Sequence, residues 1–186
     1  MMKPLAIGAL MTLAACGGGG DGEDPVAEYA DDAARADRII DQTERLTRTS
    51  AAAMPTRGRA EYDGVVGLAF GGAPDSLQSA QMIGDLELDA DFGAGTIRGE
   101  MDDFNTRDGR ELDGELRIGN GRITGSGFTG TASGTLTGGA GAPGAVGAAI
   151  GGEFLGQGAE AVAGAGTGTS AGGNVGLVFR GVRDRD

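Results

Sequence analysis

From Arg57 onward, apolar and charged residues alternate with a period of two, and this pattern limits the fold more than any other feature of the chain. Met82, Gly84, Leu86, Leu88, Ala90 and Phe92 alternate with Ile83, Asp85, Glu87, Asp89 and Asp91. Ile97, Gly99 and Met101 alternate with Arg98, Glu100 and Asp102. Leu112, Gly114, Leu116 and Ile118 alternate with Glu111, Asp113, Glu115 and Arg117. Successive side chains of a strand point to opposite faces, so each segment is a strand with one apolar and one charged face. Gly93-Ala94-Gly95, Asn105 to Gly109 and Gly119-Asn120-Gly121 supply the turns. The result is an antiparallel meander.

The registers are mutually consistent. Pairing Asp91 with Thr96 sets Ala90 opposite Ile97, Leu86 opposite Met101 and Asp89 opposite Arg98. Pairing Met101 with Leu112 then places Arg98 between Asp89 and Glu115, a favourable cross-strand neighbourhood. Further strands are expected at Arg59–Phe70, Arg122–Thr129, Thr131–Thr137, Val146–Leu155, Glu160–Gly168 and Asn174–Val182. Of these, Thr131–Thr137 is equally readable as a loop. Closing such a meander removes its exposed edges. The fold class is therefore mainly β: a small eight-stranded antiparallel up-and-down barrel over 57–186, preceded by one N-terminal amphipathic helix.

Soluble and membrane-spanning barrels both alternate. With no Trp and only 2 Tyr, the chain cannot build aromatic girdles. Gly84, Gly99 and Gly114 would bury little against lipid, whereas glycine between large side chains suits a narrow interior. The apolar face is expected inside.

The segment 25–50 has a different character. It holds none of the chain's 39 glycines. Asp24 is placed to cap a helix that has Pro25 at its first position. The helix is expected to run from about Pro25 to Thr49. Val26, Tyr29, Ala33, Ala36, Ile40 and Thr43 line one face, and Asp31/Arg35, Asp41/Arg45 and Glu44/Arg48 are i,i+4 pairs. Such a helix either packs on the barrel or holds it away from a membrane as a stalk.

Residues 1–15 read as a lipoprotein signal peptide. Lys3 supplies the positive end, and Leu5 to Ala15 is apolar but too short to span a bilayer. Leu13-Ala14-Ala15-Cys16 has the form of a lipobox, with Cys16 as the lipid attachment site. Thioether-linked diacylglycerol plus an amide-linked chain such as palmitate gives the several acyl chains that stable anchoring needs. Residues 16–24 form a Gly-rich tether. Gly17, rather than Asp, follows Cys16, which by the lipoprotein sorting rule implies the outer membrane.

Composition excludes several functions. There is no His, so no site uses imidazole. The net charge of −12 argues against nucleic acid as a partner. With Cys16 acylated, neither a disulfide nor a thiolate site remains. Ser126 and Ser170 lack a base partner, and Gly138 to Gly152 carries no Lys to make a phosphate cradle. No catalytic residues, no metal ligands and no cofactor are assigned. The rows Glu87/Glu100/Asp113 and Asp85/Asp102/Glu111 read as a solvated acidic face rather than a Ca²⁺ site. The loop Asp102 to Gly109 is acidic but lacks calcium-loop spacing. Haem ligation would fall to Tyr29, Tyr62, Met82 or Met101; Tyr62 alternates with Gly64 and Val66 and so belongs to the barrel filling.

The run from Gly152 to Gly164 carries a more specific signal. It resembles the pattern G-x-F-(aromatic)-G-P-x-A-x-E-(L)-G-G of the C-terminal barrels of transferrin-binding protein B-like surface lipoproteins. Gly152, Phe154, Gly156, Ala159 and Gly164 match; Leu155, Gln157, Ala161 and Ala163 depart from it. The resemblance spans roughly Tyr62 to Val182. It implies an eight-stranded barrel displayed at the cell surface. Such a barrel binds a host protein or a solute through its loops, in iron or haem uptake, with an outer-membrane receptor as a further partner. The motif's physical role is expected to be local, with Phe154 filling the barrel end and the glycines allowing a sharp exit from the strand. The chain thus reads as a non-catalytic, solute- or partner-binding lipoprotein; the alternative is a structural envelope lipoprotein without a small-molecule ligand.

Overall fold

The computed structural model describes residues 25–138 and 141–184. The signal segment, Cys16, the tether and Asp24 lie outside the described residues. Helix α1 (Pro25–Thr43) precedes nine strands: β1 (Arg59–Phe70), β2 (Met82–Asp91), β3 (Thr96–Thr106), β4 (Glu111–Leu112), β5 (Leu116–Thr124), β6 (Gly127–Leu136), β7 (Gly144–Leu155), β8 (Ala161–Ser170) and β9 (Gly173–Arg183). The eight long strands pair antiparallel in the order β2-β1-β9-β8-β7-β6-β5-β3, and β2 pairs with β3 to close the barrel. β4 is a two-residue extension held on β3.

The apolar face points inward. Tyr62, Leu86, Met101, Leu116, Phe154 and Leu177 have 0% exposure, while Glu61, Glu87, Arg98 and Arg117 on the alternate positions are exposed. This is the inverse of a membrane-spanning barrel, whose outer band is apolar. The β2–β3 register is the expected one, with Asp91↔Thr96, Ala90↔Ile97, Asp89↔Arg98 and Leu86↔Met101.

The next pairing differs. Met101 pairs with Leu116 and Phe104 with Leu112, because Asp113, Gly114 and Glu115 leave the ladder between β4 and β5. Gly114 sits at φ 111, where a side chain is strained. Arg98 therefore does not face Glu115, and Glu100 faces Arg117. The acidic rows change accordingly: Glu87↔Glu100 and Asp85↔Asp102 hold, but neither Asp113 nor Glu111 completes them.

Gly119-Asn120-Gly121 is not a hairpin turn. β5 runs through it with a bulge against both neighbours, and Asn120 takes φ 54. A Cβ on Gly121 would strike the Ile97 carbonyl, so the backbones approach closely there. The reversal occurs at Gly125-Ser126 instead, and Thr131–Thr137 belongs almost wholly to β6.

α1 ends at Thr43, not Thr49. The Thr43 hydroxyl donates back to the Ile39 carbonyl at 2.6 Å, and after a turn at Glu44-Arg45 the chain runs extended, with Arg48 bridged to Leu155. Thr49 N–H donates to the Phe154 carbonyl at 2.8 Å and Gly156 N–H to the Thr47 carbonyl at 2.9 Å. The β-branched Thr47 and Thr49 suit this extended path. Arg48 thus leaves the helix and reaches Ser126 (2.9 Å) and Glu153 (3.5 Å). Arg35 turns from the helix surface to Asp85.

Candidate functional site

The five motif residues occupy one end of the barrel. Phe154 is fully buried, with ring centroids 5.9 Å from Tyr62, 5.5 Å from Phe92 and 5.4 Å from Phe128. Gly152 and Gly164 are cross-strand partners. A Cβ on Gly152 would strike the Phe128 ring, and one on Gly164 the Phe179 ring. The pair therefore makes a notch that two rings fill. This corrects the expected role for both, which are space-makers within strands. Gly156, at φ +78, is the glycine that serves the exit. Ala159 takes φ 61 in the β7–β8 turn, and its carbonyl accepts the Tyr62 hydroxyl at 2.9 Å. Cys16 lies outside the described residues.

The opposite end carries the longer connections. The β1–β2 loop, the β3–β4 turn and Gly141 of the β6–β7 connection surround a concavity of about 510 Å³. Its floor is Phe70, Ala80 and Met82, and its rim holds Gln81, Arg107, Asp108 and Arg110. Arg110 pairs with Asp108 at 3.1 Å, and its backbone N–H donates to the Thr106 hydroxyl at 2.9 Å. The Thr106 hydroxyl and Arg110 hold the Asp108 carboxyl below the usual carboxylate range. The acidic loop noted in the sequence is thus a turn tied by an arginine. Arg107 donates to the Gln78 carbonyl at 2.7 Å and to the Tyr29 hydroxyl at 3.2 Å, joining the mouth to α1.

α1 lies along the outside of the barrel between these ends. Ala36 and Ile39 bury against Val65 and Leu77, with Ile40, Val178 and Val182 packed beside them. Ile83 on β2 is likewise covered, at 1% exposure. The helix therefore packs rather than standing off. Its buried face is rotated from the expected stripe, since Ile39 is covered and Val26 is exposed. Outward-facing Val65, Ile83, Val178 and Val182 break the apolar-in, charged-out rule, and this break was the signal for the seat.

Polar groups are trapped beside that seat. Asn105 is 4% exposed; its Nδ2 donates to Asp32 at 3.3 Å, while its Oδ1 has no partner among the described residues. Burial, opposed by the Asn105 hydrogen bond, raises the Asp32 carboxyl above its usual range. Asp102, facing Asp85 across β2–β3, is pushed up to about 6, by burial first and then by Asp103 and Glu100.

A second concavity, of about 530 Å³, lies over the outer face of β1, β2, β3 and β5. Glu61, Asp63, Glu87, Asp89 and Glu100 line it with Arg98 and Arg117. Arg98 pairs with Asp89 at 3.0 Å and Arg117 pairs with Glu115. Among the described residues no group of three or more metal-ligating side chains is arranged to hold a metal ion. The residues weighed as haem ligands are scattered. Tyr62 and Met101 are in the core, Met82 is in the mouth floor and Tyr29 is on α1. Among the described residues, no helix is long and apolar enough to cross a membrane.

An up-and-down barrel capped by an aromatic cluster at one end, with its longer connections at the other, defines a small antiparallel β-barrel domain. The chain belongs to the family described as the C-lobe and N-lobe β-barrels of transferrin-binding protein B, which it matches over residues 54–183. It is similar in structure to a transferrin-binding protein B variant from Haemophilus parasuis Hp5, with a TM-score of 0.50 and 22% identity over 74% of this chain and 29% of that one. The isotype 1 transferrin-binding protein B of serogroup B Neisseria meningitidis gives a TM-score of 0.48 and 22% identity, over 74% and 28%. A protein described as a surface lipoprotein gives 0.47 and 16%, over 70% and 63%. The chain thus spans under a third of the Haemophilus parasuis and Neisseria meningitidis transferrin-binding proteins named here. No curated protein sequence matches it.

Proposed function

We propose that this protein is an outer-membrane lipoprotein, anchored through an acylated Cys16, whose barrel presents its loop-end mouth to a partner protein. The mouth itself carries this reading: a concavity of about 510 Å³ with an apolar floor and a few polar groups on its rim. Recognition sites share that composition. Membership in a binding family supports a binding role over catalysis. The similar structures are named for transferrin binding, so a host protein such as transferrin is the partner kind proposed. Side chains fill the interior, so a solute would sit in a surface concavity such as the mouth.

Immobilised protein is exposed to purified transferrin and to serum, beside Phe70→Ser and Arg110→Glu variants. Capture that falls about tenfold or more in the variants supports the mouth as the site. Equal capture by all three proteins rejects it. Cys16→Ser is expected to abolish palmitate labelling and membrane association. Protease treatment of intact cells tests display: a barrel that stays protected fits the envelope role instead.

A further inference from the structure

The joint between α1 and the barrel holds more negative charge than a structural seat requires. Asp32 faces β2 and β3 from the helix. Asp85 of β2 and Asp103 of β3 act on it directly; Asp102 of β3 faces Asp85 beside Asp103, and Glu87 and Glu100 lie two residues further along the same strand pair. On the helix, Arg35 pairs with Asp85 at 2.6 Å, while Arg117 of β5 faces Glu100. Asn105 lies within the same group, and its buried Oδ1 has no partner among the described residues. A buried acceptor without a donor is costly, and so are like charges brought together in a half-buried joint. The carboxylates are spread along adjacent strands and do not converge on one point, so the cation that can relieve them is a proton.

We propose that α1 is a proton-linked clamp, which grips the barrel more tightly when mild acidification neutralises carboxylates at its seat. The raised Asp32 and the Asp102 carboxyl at about 6 place that change in the mildly acidic range. A protonated carboxyl also becomes a donor, the group that Asn105 Oδ1 lacks. The apolar contacts of Ala36 and Ile39 remain at both pH values, so acidification tightens a joint that already exists. Through Tyr29, Arg107 and Gln78, the same joint steadies the two loops that wall the mouth. The clamp stands whether or not the mouth binds a partner.

Amide hydrogen exchange of the full chain at pH 5.5 and 7.5, corrected for intrinsic exchange rates, tests this. Amides of α1 are expected to gain up to about tenfold in protection at pH 5.5, the effect of one unit of relieved shift. Those of β6 to β8 serve as the reference. Asp102→Asn and Asp32→Asn imitate the neutral form. Each should raise α1 protection at pH 7.5 and flatten its pH dependence, whereas Asp41→Asn on the exposed helix face should not. Unchanged wild-type protection, an equal change in β6 to β8, or full pH dependence in both seat variants overturns the proposal.

Discussion

The Tyr62 hydroxyl donates to the Ala159 carbonyl across 2.9 Å, and both residues are completely buried. The bond joins the first strand to the β7–β8 turn, 97 residues away in sequence. It satisfies a carbonyl in a turn whose alanine holds the left-handed conformation, a strained position for a residue with a Cβ. Burial holds the Tyr62 hydroxyl well above the ordinary tyrosine range, so it remains a donor at all physiological pH values.

Tyr62→Phe keeps the ring and removes the donor. The Ala159 carbonyl then stays buried without its partner, at a cost of about 1–2 kcal/mol. Urea denaturation should show a lower midpoint with an unchanged slope, since the folded surface is the same.

Phe154→Ala is expected to cost about 3–5 kcal/mol, because three rings lose their common neighbour. Phe154→Leu keeps most of the volume and should cost clearly less. Wherever the variants fold, binding at the mouth should persist, because the cluster lies at the other end. Loss of binding by a folded Phe154→Leu protein would place the ligand at the motif instead.

Gly164→Ala tests the notch. The added methyl meets the Phe179 ring and lies 2.5 Å from the Gly151 carbonyl, so both ring and backbone must move. Overpacking of this kind costs about 1–3 kcal/mol. Gly147→Ala is the control on the neighbouring strand, where nothing lies within 4 Å of an added Cβ. Thermal melts should separate the two clearly.

The alternation of residues made the barrel legible, together with the sense of its faces and the β2–β3 register. What escaped was breaks in alternation. Gly119-Asn120-Gly121 has turn composition, yet it is a bulge because flanking residues continue to pair with β3 and β6. Asp113-Gly114-Glu115 alternates correctly and still leaves the ladder, since Gly114 adopts a positive φ that spacing does not reveal. The mouth depends on Arg107 and Arg110, two of many surface arginines until the loops bring them over Phe70 and Met82. The resemblance located the motif but not its mechanics, because only the fold shows that Gly152 and Gly164 face each other.

Stability should depend on pH in a direction set by Asp102. Its folded pKa of about 6 lies above the ordinary 3.8, so the folded protein binds this proton more tightly than the unfolded chain does. Between those values the folded state carries more protons, and stability therefore falls as pH rises through the window. Above about 6 the penalty is fully present and constant. Asp91 and Asp108 act oppositely: hydrogen bonds from the Ala94 N–H and the Thr106 hydroxyl lower them, and their contribution is lost only in stronger acid. Urea midpoints measured from pH 5 to 7.5 should decline for the wild type. Asp102→Asn should give a flatter profile and a higher midpoint at pH 7.5, and a wild-type midpoint that rises with pH across this range would contradict the assignment.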